Sequence, residues 1–175
     1  MRTRSATGCL ALCLMTGGAA HASDAACTAI LDAIVKVTAT SVHQKISIQM
    51  PNGKPPLQTE VIHIKDTMYT RATGPWSARP YDGAKVAADA RQAMAASEHT
   101  CSRDGSEPVD GQPALVYRMD TVTPKGKSQG KIWISTTSGL PLRQHTILIN
   151  GATANGEHEV RFDYMNITPP PGVKQ

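Results

Sequence analysis

Several short segments of the chain alternate between apolar and polar residues, which is the pattern of strands with one buried and one wet face. Residues 45–50 alternate strictly, with Ile46 and Ile48 on the apolar side, and residues 115–120 and 159–164 do the same. Further strand-like runs lie at 61–64, 68–71, 132–134 and 146–149, with hairpin turns at 65–66 and 138–141. The pattern predicts an antiparallel, hairpin-connected sheet of about seven to nine strands.

Two other segments have helical spacing. Apolar residues recur every three or four positions over residues 26–37, which predicts a helix of about a dozen residues. A second, alanine-rich window covers residues 82–99, with Asp82 as its N-cap and with Val86 and Met94 on one side. Two helices packed on an antiparallel sheet make an α+β fold.

The remaining segments are rich in turn-forming residues. The predicted turns are Pro51-Asn52-Gly53, Pro124-Lys125-Gly126, Asn150-Gly151 and Asn155-Gly156. Residues 169–175 begin with three prolines and a glycine, which predicts an extended or disordered tail. No linker or repeat divides the chain before that tail, so we expect one domain over residues 23–168.

The N-terminus has the composition of a secretory signal peptide. Two arginines and a short apolar run precede an A-x-A cleavage site, so residues 1–22 are predicted to be removed near Ala22. The alternative of a membrane anchor needs a longer apolar run, and neither Cys9 nor Cys13 has the context of a lipidated cysteine. We therefore expect a periplasmic or secreted protein with no transmembrane segment in the mature chain.

Cleavage at Ala22 leaves two cysteines, Cys27 and Cys101. In an oxidising compartment, two thiols without a competitor have one intramolecular pairing, which predicts a structural disulfide. A redox-active pair is the alternative, but the chain has no C-x-x-C motif. Because Cys27 starts the first predicted helix and Cys101 follows the second, we expect the bond to clasp the two helices together and restrict their opening.

Charge and aromatic content restrict the kinds of ligand and partner that we expect. The chain has a net charge of +4, part of it in the signal peptide, and its basic residues are scattered, so no nucleic-acid partner is expected. It has two Trp, four Tyr and one Phe, and the second predicted helix offers mainly alanine as cover. Thin cover over an apolar sheet leaves two alternatives open: a cavity that a ligand fills, or a sheet that curves onto the helices and packs fully.

Sequence motifs for catalysis are missing. The chain has no H-E-x-x-H, no helical pair of histidines and no G-x-S-x-G. The Glu-His-Glu segment at 157–159 offers at most two ligands to one side of a strand. Asp104 and Glu107 pair two carboxylates, but they fall in an apparent loop. We expect no enzymatic activity, no metal site and no cofactor.

Six short runs carry a family resemblance. They are IKDTMY at 64–69, GPW at 74–76, GQPALVY at 111–117, GKIWIS at 130–135, SGLPLR at 138–143 and FDYMNI at 162–167. Together they resemble the LolA-like superfamily of periplasmic lipoprotein carriers, which also includes LppX-type mycobacterial proteins and the sensor domain of RseB. The resemblance implies a strongly curved antiparallel sheet, an unclosed barrel, covered on its apolar face by two helices, with an apolar cavity for acyl chains.

The leading hypothesis is a non-enzymatic periplasmic protein that binds a lipid or the acyl chain of a lipoprotein between sheet and helical lid. By alternation, the candidate ligand-lining residues are Ile46, Ile48, Ile62, Ile64, Leu115, Tyr117, Val160 and Phe162 from the strands, with Val86 and Met94 from the second helix. The alternative is a module for protein interaction or envelope sensing, with a packed core and a periplasmic protein partner.

Overall fold

The computed structural model describes residues 19–49, 54–124, 126–150 and 153–173. In chain order its elements are α1 (Ala19–Thr38), β1 (Val42–Gln49), β2 (Leu57–Ile64), β3 (Thr67–Arg71), β4 (Ser77–Pro80), α2 (Gly83–Ala95), β5 (Glu98–Ser106), β6 (Ala114–Thr123), β7 (Gly126–Ser135), β8 (Pro141–Asn150) and β9 (Thr153–Asp163). Outside the described residues lie the predicted signal peptide up to residue 18, with Cys9 and Cys13, and the turn residues 51–53, Lys125 and Gly151. Because α1 begins at Ala19, the predicted cleavage site falls within this helix.

The nine strands form one antiparallel sheet in the order β4-β3-β2-β1-β9-β8-β7-β6-β5. All neighbouring strands except β1 and β9 are also consecutive in the chain, so hairpins build two halves that the pairing of β1 with β9 joins. β4 and β5 are the edges, and the sheet is not closed within the described part of the chain. The predicted α+β class, with an antiparallel sheet and two helices, is confirmed.

α1 begins at Ala19, before its predicted start at residue 26, but it buries the predicted apolar stripe, and α2 begins at its predicted N-cap. On α1, Ala26, Ile30 and Ala33 are buried at spacings of four and three residues, which forms one apolar stripe against the sheet. Asp82 caps α2, because its side chain accepts a hydrogen bond from the backbone N–H of Lys85 at 2.9 Å. In the part of the chain that the structure describes, neither helix has the length and apolar character that crossing a bilayer requires.

The patterning misses two strands, β4 and β5. β4 is four residues long and exposed throughout, so it carries no alternation to detect. The second predicted helix is wrong beyond Ala95, because β5 begins at Glu98. Within β5, Glu98 and Thr100 are exposed, whereas His99 and Cys101 are partly or fully buried. This period of two favours a strand over the last turn of a helix.

The predicted turn at Asn155-Gly156 is also wrong, because both residues lie within β9. β8 ends at Asn150 and β9 begins at Thr153, so the turn signal at Asn150-Gly151 marks this connection. The register of β9 against β8 shifts next to Asn155: Leu148 pairs with Gly156, but Ile149 pairs with Ala154. A β-bulge thus absorbs the extra residue.

The strand registers divide the sheet into two faces. We call one the helix-side face, because its residues, such as Ile132, pack against α1. The outer face carries ion pairs, including Lys131 with Asp104 and Arg143 with Glu159, both at 2.8 Å. The outer face is not uniformly polar, because Val116 and Trp133, a cross-strand pair on it, belong to a second buried apolar cluster. The alternation therefore predicts the apolar helix-side face but not this cluster.

Cys27 and Cys101 form the predicted disulfide, with their Cα atoms 5.2 Å apart. The expected clasp between the two helices is wrong, because Cys101 lies within β5 and does not follow α2 directly. The bond ties the N-terminal half of α1 to an edge strand, and Cys101 is buried in the same core as Ala26 and Ile30. The covalent constraint therefore acts between helix and sheet.

Candidate functional site

The registers place six of the ten predicted lining residues on the helix-side face: Ile46, Ile48, Leu115, Tyr117, Val160 and Phe162. In the pairing of β2 with β1, Val61 and His63 lie on the helix-side face. Ile62, which pairs with His43, and Ile64 alternate with them along the strand and therefore lie on the outer face. The sequence of β2 does not show whether its odd-numbered or its even-numbered residues face the helices. The pairing with β1 decides this, and with it which side chains lie on the helix-side face.

The two candidates on α2 belong to a helix that packs mainly against α1. Val86 is 39% exposed, and Met94 is half-buried. The residue that α2 buries is Ala87, because this helix packs mainly against α1 and only slightly against β5. An alanine at the contact lets the two helices approach closely, and it leaves Val86 facing outward.

Part of the helix-side face is apolar but incompletely covered. α1 packs against β5, β6, β7 and β8, whereas β1, β2, β9 and the end of β8 carry apolar side chains that are only partly buried. We call this set the apolar patch, and its members are Ile46, Ile48, Leu57, Val61, Leu148, Val160 and Phe162. Leu57 and Leu148 are 42% and 37% exposed. Cross-strand pairs such as Ile46 with Val160 join members directly, whereas Gln44, Thr59 and His158 place polar side chains between others.

A small cavity of about 190 Å³ lies between α1 and the sheet. It is lined by Ile30 and Ile34 of α1 and by strand residues that include Met119, Ile132 and Thr146. Its volume is below the roughly 300–1,000 Å³ of typical small-molecule sites. None of the ten predicted residues lines it, and α1 packs too closely here to leave room for a long acyl chain.

A larger cleft of about 840 Å³ opens where the end of α1 meets the start of α2 and the β2–β3 turn. We call it the polar cleft. Its titratable lining residues are His63, Lys65, Asp66, Tyr81, Asp82 and Arg91. Sequence patterning does not find this site, because these residues come from separate segments and only Asp82 stands out, as a helix cap.

His63 and Tyr81 contact each other ring to ring inside the polar cleft. His63 is 5% exposed, and its ring centroid lies 3.8 Å from that of Tyr81. The Tyr81 hydroxyl donates to the carbonyl oxygen of Thr38 at 3.2 Å. Burial lowers the pKa of His63 and raises the pKa of Tyr81, so both rings are uncharged at neutral pH. Among the described residues, the His63 ring has no hydrogen-bond partner.

Gly83 sets how closely the two helices meet beside this cleft. A Cβ added at Gly83 would lie 2.5 Å from the carbonyl oxygen of Thr38 and 3.3 Å from the ring of Tyr81. Backbone atoms cannot rotate away from such a contact, so the position requires glycine. The end of α1 is therefore fixed against the start of α2, which keeps the shape of the cleft.

The two carboxylates that the sequence pairs, Asp104 and Glu107, both have structural partners. The predicted loop at Asp104 and Glu107 is wrong for Asp104, which lies in β5 and bonds to Lys131. The hydrogen bond and charge of Lys131 lower the pKa of Asp104. Glu107 accepts a hydrogen bond from the indole N–H of Trp133 at 3.1 Å. In the described ranges, no three His, Cys, Asp or Glu side chains come together in a way that would hold a metal ion.

Comparison of the sequence with protein-family models and with curated proteins finds no match. Solved structures do match. The lipoprotein LppX of Mycobacterium tuberculosis has a TM-score of 0.52 and 11% identity, over 83% of this chain and 98% of that chain. A chain of the Pseudomonas aeruginosa MucA/MucB complex has a TM-score of 0.51 and 14% identity, over 84% of this chain and 59% of that chain. LprF from Mycobacterium bovis has a TM-score of 0.45 and 14% identity, over 85% of this chain and 98% of that chain.

At these identities the likeness establishes the fold. It is the fold of LppX, a type of protein whose family the six sequence runs resemble. The resemblance is thus confirmed for the architecture, and the ligand has to be argued from this chain's own residues.

Proposed function

We propose that the protein binds the acyl chain of a lipid or lipoprotein on the helix-side face of its sheet, in the periplasm and without catalysing a reaction. The apolar patch carries this proposal. Its side chains come from four strands and are left partly open, and an exposed apolar surface of this kind marks a binding site. An acyl chain suits the patch because both are apolar, and burial contributes about 25 cal/mol per Å².

The ligand lies on the patch and not beneath the N-terminal half of α1. That half of the helix is bonded to β5 through Cys27 and Cys101, and the cavity below the helix measures about 190 Å³. β1 and β2, which carry much of the patch, are separated from β5 by four other strands. A ligand can therefore enter over β1 and β2 while the disulfide stays intact.

A sheet that curves around the helices as an unclosed barrel would surround such a ligand on two sides. Contacts at both ends of α1 support this shape. The helix packs against β5 to β8, and its last residue, Thr38, accepts a hydrogen bond from Tyr81, which stacks on His63 of β2. One helix therefore reaches both halves of the sheet.

The compartment follows from the disulfide and from the predicted signal peptide. Structural disulfides persist in oxidising compartments, and residues 1–22 have the composition of an export signal. Both observations support a periplasmic location, where acyl chains of lipids and lipoproteins are available as ligands.

Two measurements test this function. Native mass spectrometry of protein isolated from the periplasm should show a copurified lipid. Calorimetry with 1-palmitoylglycerol then locates the site: Ile46→Asn should weaken binding by about tenfold or more, because each methylene left in water costs about 0.8 kcal/mol. The matched variant Ile64→Asn, on the outer face of the neighbouring strand, should bind like the parent protein. Absence of both copurified lipid and binding would contradict the proposal.

A protein partner is the second candidate, and one observation favours it. β5 is an edge strand of nine residues, most of them exposed, and such an edge can pair with an incoming strand. A pull-down from periplasmic extract that recovers a stoichiometric protein and no lipid would favour this function over lipid binding.

A further inference from the structure

The polar cleft contains a group that acyl binding does not explain. His63 is buried and stacked on Tyr81, yet its ring has no hydrogen-bond partner among the described residues. Neither ring nitrogen of His63 is sealed from solvent, so a hydrogen-bond partner can reach the ring from the cleft. Because His63 lines an open cleft, a ligand that enters this cleft can supply the acceptor.

The cleft offers two basic side chains that can pair with an anionic acceptor. Lys65 and Arg91 line the cleft, and within the described ranges neither forms an ion pair. Of the two carboxylates that face them, Asp82 is already bonded to the N–H of Lys85 as the cap of α2, and Asp66 lies in the exposed β2–β3 turn. The cap leaves the negative charge of Asp82 in place, so the four charged side chains of the cleft sum to zero, and Lys65 and Arg91 are the two that an anionic ligand can pair with.

The start of α2 adds backbone donors to the same cleft. Asp82 accepts hydrogen bonds from the N–H of Lys85 through its side chain and from the N–H of Val86 through its carbonyl oxygen. The first two N–H groups of the helix, at Gly83 and Ala84, can therefore bind a ligand. Both residues line the cleft. Helix N-termini attract anions, and phosphate above all, because unsatisfied N–H groups and the helix dipole act together.

The polar cleft and the apolar patch adjoin along β2. His63 and Val61 share the helix-side face with Leu57, which lies six residues from His63. At about 3.3 Å per residue, this row is roughly 20 Å long, which suits an extended long acyl chain. One molecule with a charged head and an apolar tail can therefore occupy both.

We infer that the polar cleft binds the phosphate headgroup of a lipid whose acyl chain lies on the apolar patch. This inference rests on the proposed function for the chain and adds the headgroup. His63 donates its ring N–H to a phosphate oxygen, Lys65 and Arg91 balance the charge, and the N–H groups of Gly83 and Ala84 hold the remaining oxygens. The ligand class is then a phospholipid or lysophospholipid, in preference to a neutral lipid.

Calorimetry at pH 7 on the mature chain tests the headgroup with three probes: 1-palmitoyl lysophosphatidic acid, 1-palmitoylglycerol and inorganic phosphate. The first two share chain and glycerol and differ in the phosphate. We expect the lysophosphatidic acid to bind about tenfold or more tightly, as hydrogen bonds to a charged group imply. Arg91→Gln and His63→Phe should remove that preference and leave 1-palmitoylglycerol binding unchanged. Arg118→Gln, a control on the outer face, should keep the preference.

The outcomes separate the headgroup from the acyl site. Equal binding of the two lipids, or a preference that survives Arg91→Gln, overturns the headgroup inference and leaves the acyl proposal standing. Failure of both lipids to bind overturns the acyl proposal itself. Inorganic phosphate that binds as tightly as the lysophospholipid would make the cleft a site for free phosphate and also overturn the inference. His63→Phe keeps a ring against Tyr81, and if it does not fold, Arg91→Gln on the exposed face of α2 carries the test.

Discussion

Replacing Cys27 and Cys101 together by alanine should destabilise the protein by about 4 kcal/mol. The two residues are 74 positions apart, and in the chain-entropy model the closure of a loop of that length contributes about 4 kcal/mol. Cys101 is 3% exposed and packs in the core beneath α1, so loss of its sulfur adds to the cost. Since domains are stable by roughly 5–15 kcal/mol, the double variant should fold with a small margin.

Equilibrium unfolding in urea measures this change, with the parent protein under reducing conditions as a control that keeps both sulfurs. We expect the loss of stability to be greatest around α1 and β5, because the bond joins these two elements and does not involve β1 or β9. Hydrogen exchange should therefore rise in the N-terminal half of α1 before it rises in β1. An unfolding free energy within about 1 kcal/mol of the parent value, with unchanged protection of α1, would refute the reasoning.

Four further substitutions test the packing and the cleft by urea unfolding. Gly83→Ala should destabilise the protein by about 1–3 kcal/mol, because the new Cβ would lie 2.5 Å from the Thr38 carbonyl oxygen. The cost of this clash exceeds the gain in helix propensity from alanine. A more stable variant would contradict the close approach of the two helices. Ile30→Ala should cost about 2–5 kcal/mol because Ile30 is 1% exposed, whereas Val86→Ala, at an exposed position, should change stability by less than about 0.5 kcal/mol. Because burial lowers the pKa of His63 below its value of 6.5 in an unfolded chain, the unfolded state binds the proton more readily, so stability should fall as the pH drops below 6.5. His63→Phe should reduce that loss between pH 7 and pH 5, and an identical pH dependence in both proteins would argue against a buried neutral ring.

Local chemistry allowed much of the fold to be predicted. The spacing of Ala26, Ile30 and Ala33 defines the buried stripe of α1, and Asp82 has the side chain that an N-cap requires. The disulfide was predictable for a different reason, since two cysteines have one intramolecular pairing. These features depend on neighbours in sequence or on a count of residues, which a sequence displays directly.

Features that depend on distant contacts were not predictable. Alternation along β2 has two phases, and the pairing with β1 selects the one that turns Ile62 to the outer face. The start of β5 was predicted as helix, because only its place beside β6 shows that His99 and Cys101 lie on a strand. The polar cleft joins His63 and Arg91, which are far apart in the chain.

The most direct test of the acyl site is a titration followed by methyl NMR, with 1-palmitoylglycerol as ligand and labelled Ile, Leu and Val methyl groups. Ile46 and Ile48 lie in the apolar patch, whereas Ile62 and Ile64 lie on the outer face of the adjacent strand. This gives two probes and two matched controls in one spectrum. We predict saturable shifts at Ile46, Ile48 and Val160 with Ile62 and Ile64 unchanged. Shifts confined to Ile62 and Ile64, or no shift at any of the five, would contradict binding on the helix-side face.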